Sequence, residues 1–305
     1  MDEGQNRLVS VSVRPGSPAQ HAYYPQACAG CSPGPSLNLC FFGGKTIADL
    51  VFANHYLGGA AAWDPADIAS INAALVKAMS DNGLQSVIQQ YFDAPISSRM
   101  LPSAVRPEPA PTVIYRDQVE ALAACIVRDE GLDPASLVVN LMLPRGVVLV
   151  DGFSPCFRPP PGQEAEHERR RRAVVRDADS RHGLGGYHGS VHVAPGVTVY
   201  YAVGVYSEGD NGIPVFGPPW KNVVATFYHE LNEARTDPDV EDAIRAGDRA
   251  RLGWYSPPAG EIGDLPILDA GLGAFQDVDL ADGSGTVPVQ LMWSNHHSAP
   301  APHLP

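Results

Sequence analysis

The chain has 305 residues and 44% hydrophobic content, enough to bury a substantial core, and a single large domain is the expectation over two small ones. Its formal charge of -13 sets a repulsive field against phosphate backbones and anionic surfaces, which argues against a nucleic-acid or membrane partner. No apolar run reaches the roughly 18 residues of a spanning helix, and the start MDEGQNRLVS is acidic and polar where an export signal is basic and then apolar. The chain as given is therefore expected to be soluble and cytoplasmic.

Residues 1–34 are rich in Pro, Gly, Ser and Gln and carry no sustained apolar period, so they are expected to form an extended or partly disordered leader. The five cysteines, Cys28, Cys31, Cys40, Cys125 and Cys156, are odd in number and widely spread, which does not resemble a disulfide framework and slightly favours a reducing compartment. Cys28 and Cys31 form a CxxC with no second pair at zinc-ribbon spacing, so a chance pair or a local disulfide is the better reading.

The folded domain is expected over 35–295. LNLCFFGG, from Leu37, has the pattern of a short buried strand closed by two glycines. From Asp64 an N-cap Asp, a Pro at the first helical position, and Ile68, Ile71, Leu75 and Met79 at helical spacing predict a helix that closes at Asn82-Gly83. Helical spacing recurs over 84–92 and over 116–130, where Val119, Leu122, Ala123 and Ile126 share a side. SLVVNLMLPRGVVLVDG then offers two apolar runs that read as core strands.

The stretch from Phe157 to Gly183 gathers prolines and charge and is expected to be a surface loop or short exposed helix, with Arg169 to Arg172 a solvated basic turn rather than an anion site. VTVYYAVGVYS is a strong strand pattern, and Lys221 opens a helix with Val224, Phe227, Tyr228 and Leu231 available for packing. This order predicts a mixed α/β sheet backed by helices, with a loose tail over 296–305.

Chemistry concentrates on that last helix, in the order His229, Glu230, Glu233. At 3.6 residues per turn, His229 and Glu233 face the same way and can grip one ion, while Glu230 lies about 100° round, the offset that lets the Glu of HExxH enzymes reach a water rather than the metal. The pattern is that motif with its second His replaced by Glu. Zinc accepts His and carboxylate ligands and needs a third one here; Glu261 and Asp264, in the glycine-flanked GEIGDL, are the candidates. Whichever does not ligate is placed to hold the His229 imidazole from behind. HELNE alone reads rather as a solvated helix face with a His that happens to sit there. Upstream, GLGGYHGSVHV supplies Tyr187, His188 and His192; Tyr187 or His188 beside a metal can donate to a developing oxyanion. Alternation puts His188 and His192 on one face, so either could instead be a fourth ligand or a structural histidine. Asp237 and Asp239 in TDPD read as helix caps, and His296 and His297 as incidental.

In order, GGYHGSV, VTVYYAVGV, YHELNEARTDPDV, LGWYSPPAGEIGDLP and VPVQLMWSN resemble a set of bacterial proteins with the pattern GYH, SHELxEAxTDP, GWYD and EIGD, loosely grouped with the plant Exordium, or phosphate-induced, proteins. The resemblance spans roughly Leu137 to Asn295. It implies a zincin-like helix carrying His229, Glu230 and Glu233, completed by the GEIGD loop, and it implies no known substrate. Many members are secreted and carry a Cys before GYH and another after EIGD[LI]; Cys156 corresponds to the first, and Pro266 stands where the second would be. The family serine before HE is Tyr228 here.

The expectation is thus a zinc-dependent hydrolase acting on a peptide or amide, with His229, Glu233 and Glu261 or Asp264 as ligands, Glu230 as base, and Tyr187 or His188 at the oxyanion. Two alternatives stand beside it, a non-catalytic metal-stabilised protein and a tailoring enzyme acting on a small molecule. Two carboxylates against one imidazole would lower the ion's Lewis acidity, which favours the first of these alternatives.

Overall fold

The structure is a computed structural model and describes residues 11–23, 37–156, 158 and 179–305. Cys28, Cys31 and the run Arg169 to Arg172 lie outside the described residues, as does most of the stretch expected to be a surface loop.

The chain opens with β1 (Val11–Val13) and α1 (Pro18–Tyr23), followed by β2 (Cys40–Phe41), β3 (Asp49–Tyr56), α2 (Pro65–Ser80) and α3 (Asn82–Gln89). Next come β4 (Ser97–Met100), β5 (Ala104–Val105), β6 (Val113–Tyr115), α4 (Arg116–Glu130), β7 (Leu137–Leu143) and β8 (Val148–Val150). After the undescribed stretch follow β9 (Leu184–Ala194), β10 (Val197–Val205), α5 (Pro219–Thr236), α6 (Val240–Ala246) and β11 (Trp254–Tyr255). The chain ends with α7 (Asp264–Ala270), β12 (Phe275–Asp279), β13 (Thr286–Gln290), β14 (Met292–Ser294) and β15 (Ala299–Ala301).

Local chemistry accounts for the helix ends. Asp64 caps α2 by accepting from the Ala66 amide, with Pro65 at the first position, and Asp81 caps α3 by accepting from the Leu84 amide. α4 stops at Gly131, whose φ of 62° places it in the left-handed region that a Cβ disfavours.

The central sheet is mixed, with order β1-β9-β10-β7-β3-β4 and β5 continuing along β3. Strands β10, β7, β3 and β4 run parallel to one another, whereas β9 is antiparallel to β10 and β1 is antiparallel to β9. All of β7 is buried, as both faces of a parallel strand should be. Its one polar residue, Asn140, donates to the side-chain carbonyl of Asn54 on β3 at 2.8 Å. One sheet face places Phe52, Tyr56, Val138, Met142 and Ala202 against α2, α3 and α5. The other places Ala53, Val139, Leu141 and Val203 against Val119, Ala123 and Ile126 of α4. The mixed sheet backed by helices is therefore as the patterns predict.

Three expectations are corrected. Within the supposed leader, Val11–Val13 pairs with β9 and Pro18–Tyr23 is helical, because Val11, Val13, Ala19 and Tyr23 bury apolar surface against the α4 side of the sheet. The buried strand expected near Leu37 is a short exposed pair, Cys40–Phe41 with β11; the buried strand is β3, whose Asn54 and His55 interrupt the apolar pattern. The tail is docked: β14 pairs with β15, the Asn295 side chain brackets the Leu39 backbone, and the Leu304 amide donates to Ser86 Oγ at 2.7 Å. None of the described helices is long and apolar enough to cross a membrane.

Candidate metal centre

Every residue of α5 from Asn222 to Thr236 is buried. A helix with polar groups on several sides can be buried all round only if those groups meet partners, because an unmatched buried charge costs several kcal/mol. Each side of α5 answers this differently. Toward α2 and the edge of the sheet, Arg235 donates to the Ser97 carbonyl at 2.6 Å and to Ser98 Oγ. Toward β9, β13 and the GEIGD turn, the helix presents His229, Glu230 and Glu233, and the neighbours there are themselves ionisable.

Glu233 lies in the middle of this group. Its Oε1 sits 2.9 Å from His229 Nε2 and accepts from the Gly263 amide at 3.2 Å. Its Oε2 lies 3.5 Å from His188 Nδ1. His188, on β9, also lies 3.5 Å from Glu230 Oε2 through Nδ1 and 3.5 Å from Glu261 Oε1 through Nε2. Asp264, the first residue of α7, turns back to accept from the Glu261 amide at 2.9 Å and so ties the GEIGD turn together. His188, His229, Glu230, Glu233, Glu261 and Asp264 are all at most 1% exposed.

Glycine makes this proximity possible. A Cβ on Gly263 would lie 2.5 Å from His229 Nδ1 and 2.9 Å from Glu233 Oε1, so only a bare backbone fits between the turn and the helix. Behind His229, Gln290 at the end of β13 receives the Nδ1 proton at 3.0 Å and donates its own amide to the Gly263 carbonyl at 2.6 Å. With Nδ1 committed to Gln290, Nε2 is the nitrogen directed at Glu233.

The electrostatics follow from packing this much charge out of water. Burial opposes a charge on His188, but the facing Glu230 and Glu233 carboxylates outweigh it and lift the pKa to about 10. Burial likewise opposes a charge on His229, and Glu233, Glu230 and Asp264 raise its pKa to about 9. Glu233 is held down to about 2 because the two imidazoliums overcome its desolvation. Burial pushes Asp237 up to about 8 and Glu261 well above the carboxylate range, the latter helped by the negative Glu233, Asp237 and Asp264. Without a cation, this pocket is neutralised by protons.

A cation is the alternative, and the donor set fits one. His229, Glu233 and Asp264 bring ligand atoms within 4.8 Å of one another, as do His188, Glu230 and Glu233. Both oxygens of Glu230, both of Glu261 and Oε2 of Glu233 are buried without a hydrogen-bond partner among the described residues. Native proteins rarely leave a carboxylate oxygen so placed, and imidazole with carboxylate is a set that zinc and other first-row divalent ions take.

The sequence candidates divide clearly. The structure brings together His229, Glu230, Glu233, Glu261, Asp264 and His188. Asp264 joins the His229 set, while Glu261 lies against His188, and the role of holding the His229 ring goes to Gln290 rather than to either carboxylate. Tyr187 is a correction. Alternation along β9 sends it to the opposite sheet face, where the Arg116 guanidinium lies 4.1 Å above its ring and Tyr201 meets it edge-on at 6.3 Å, so it cannot serve an oxyanion at this centre. His192 shares the His188 face but lies where β9 runs out to solvent, bonded to Thr198. Asp237 occupies the C-cap position of α5 but buries its carboxylate against the Gly253 amide at 2.9 Å, and Asp239 starts α6 without a side-chain cap bond. Cys156 is exposed and free. No local pattern in the sequence marks Gln290 or Gly263, because their roles exist only once β13 and the GEIGD turn meet α5.

Compared with known protein families, curated proteins and solved structures, the chain matches none.

Proposed function

We propose that the chain is a metal-dependent hydrolase, with zinc as the ion and a peptide, amide or small amide-like molecule as substrate. The observation that carries this reading is the meeting of His229, Glu233 and Asp264 in one buried set, with the carboxylate of Glu230, which lacks a hydrogen bond among the described residues, beside it. His229 through Nε2, Glu233 and Asp264 would hold the ion, and Glu261 contributes charge to the same pocket. When bound, such an ion supplies Lewis acidity and makes a nearby water more acidic. The Glu230 carboxylate, set beside that ion's ligands, would accept the proton of that water and pass it to the leaving group. The resemblance to Exordium-like bacterial proteins would imply a zincin-like helix here, without implying a substrate.

Burial of every candidate ligand to at most 1% exposure favours a second reading, a metal that stabilises the fold without turnover. One experiment separates the two. Purified protein is analysed for metal content and assayed on a peptide and amide library, beside Glu230→Gln. For a hydrolase, the variant keeps the ion held by His229 and loses roughly 10²–10⁴-fold in turnover, the usual worth of a general base. A wild type that holds metal, loses thermal stability on chelation and cleaves nothing supports the structural reading. A folded wild type without metal ends both.

A further inference from the structure

We infer that this pocket holds two divalent cations bridged by the Glu233 carboxylate, one between His229, Glu233 and Asp264 and the other between His188, Glu230 and Glu233. The inference rests on the metal-centre reading above and adds a second ion to it. Its first support is geometric. The two convergent sets share Glu233 alone, and they use its two ends: Oε1 faces His229 at 2.9 Å and Oε2 faces His188 at 3.5 Å. A carboxylate that turns one oxygen to each of two imidazoles on different elements, α5 and β9, has the disposition of a bridging ligand. Paired metal ions in two-metal sites stand roughly 3.5–4 Å apart, a span one carboxylate covers.

The second support is charge. With both imidazoles neutral, as ligands must be, Glu230, Glu233, Glu261 and Asp264 bring four negative charges into a volume from which water is excluded. One divalent ion offsets half of that, and two offset all of it. The third support is the location of the unpartnered atoms. An ion held by His229 alone accounts for Glu233 and Asp264 and leaves the Glu230 oxygens, beside His188 Nδ1 at 3.5 Å, without a hydrogen bond among the described residues. A second ion at His188 Nδ1, the ring nitrogen that faces both Glu230 and Glu233 at 3.5 Å, accounts for Glu230, while Nε2 stays with the Asp237 carbonyl at 3.3 Å.

The test is zinc stoichiometry of the full chain, stripped with chelator, reloaded with zinc, desalted and measured by elemental analysis. His296 and His297 are replaced by Ala in all samples to remove an adventitious surface site, and circular dichroism confirms folding. The expected result is two zinc ions per wild-type chain and one in His188→Ala. Should His188→Ala fail to fold, Glu230→Gln replaces it, again with one ion expected. As an independent readout, the cobalt-loaded wild type is expected to show magnetic coupling between two Co²⁺ ions. A folded wild type that binds one zinc, unchanged by His188→Ala, overturns the second ion and leaves the His229 centre standing. One that binds none overturns the metal reading itself.

Discussion

At His229 the ring is held at both ends, by the Gln290 carbonyl oxygen at Nδ1 and by the Glu233 carboxylate facing Nε2. The Gln290 contact selects the nitrogen that a metal would meet, which is the role outer partners play for ligating histidines. Gln290→Leu removes the acceptor, and with it the bond to the Gly263 carbonyl, at similar volume and without replacing any proposed ligand. Zinc affinity is expected to fall by roughly 10–100-fold, measured by competition against a chelator of known strength; an unchanged affinity would show that Gln290 does not orient the ring. Tyr187 offers the opposite test. Its hydroxyl is buried without a hydrogen-bond partner among the described residues, on the far face of the sheet from the acidic pocket. Tyr187→Phe is therefore expected to leave metal content and any turnover intact and to change stability by less than about 1 kcal/mol, read as a denaturation midpoint. Loss of activity in that variant would restore the oxyanion role that alternation along β9 denies it.

Among the elements, α4 and α6 are joined to the strands around the site by one buried guanidinium. Arg116, the first residue of α4, donates to Asp151 just after β8 at 2.8 Å and to Glu241 of α6 at 2.6 Å, and its plane covers the Tyr187 ring of β9. Tyr23 of α1 closes the cluster by donating to Asp151. Removing one partner of a buried ion pair leaves the other charge uncompensated, so Arg116→Met is expected to cost about 3–5 kcal/mol, measured by urea denaturation. The same substitution combined with Asp151→Asn and Glu241→Gln should recover part of the loss, because the orphaned charges disappear with their partner. Helices α2 and α4 are legible in the sequence because their caps and apolar spacing are local facts. Strand β3 is not, since Asn54 and His55 belong inside only once Asn140 and the neighbouring strands are in place.

For the molecule as a whole, the acidic pocket couples stability to pH. In metal-free protein, His188 and His229 have folded pKa values of about 10 and about 9, both above the ordinary 6.5. A raised folded value means the folded state holds its proton more tightly. This stabilisation is full below about 6.5 and is lost as pH rises toward 9 and 10. Asp237, raised to about 8, pushes in the same direction. Glu233, lowered to about 2, matters only in acid, where its contribution disappears as pH falls through that value. Metal binding has the opposite slope, because a cation must displace the imidazole protons, so each displaced proton makes affinity rise about tenfold per pH unit. The melting temperature of metal-free protein is thus expected to fall between pH 6.5 and 9 while the gain on adding zinc grows, both followed by scanning calorimetry. A zinc-induced gain that shrinks over this range would contradict imidazole ligation.

The sequence alone determined the helices with clear caps, the core strands β7 and β10, and the three residues that one turn of α5 must bring together, because helix geometry relates His229, Glu230 and Glu233 without reference to the rest of the chain. It also offered Glu261 and Asp264 of the glycine-flanked GEIGDL as candidates for a third ligand without deciding between them. Only the tertiary structure decided that His188 faces the acidic pocket while Tyr187 faces away, that Asp264 sits with His229 and Glu261 with His188, and that Gln290 orients the ring. These are relations between β9, α5, α7 and β13, which are separated by tens of residues. Strand register and packing set them, and no local pattern in the sequence encodes the register that joins them.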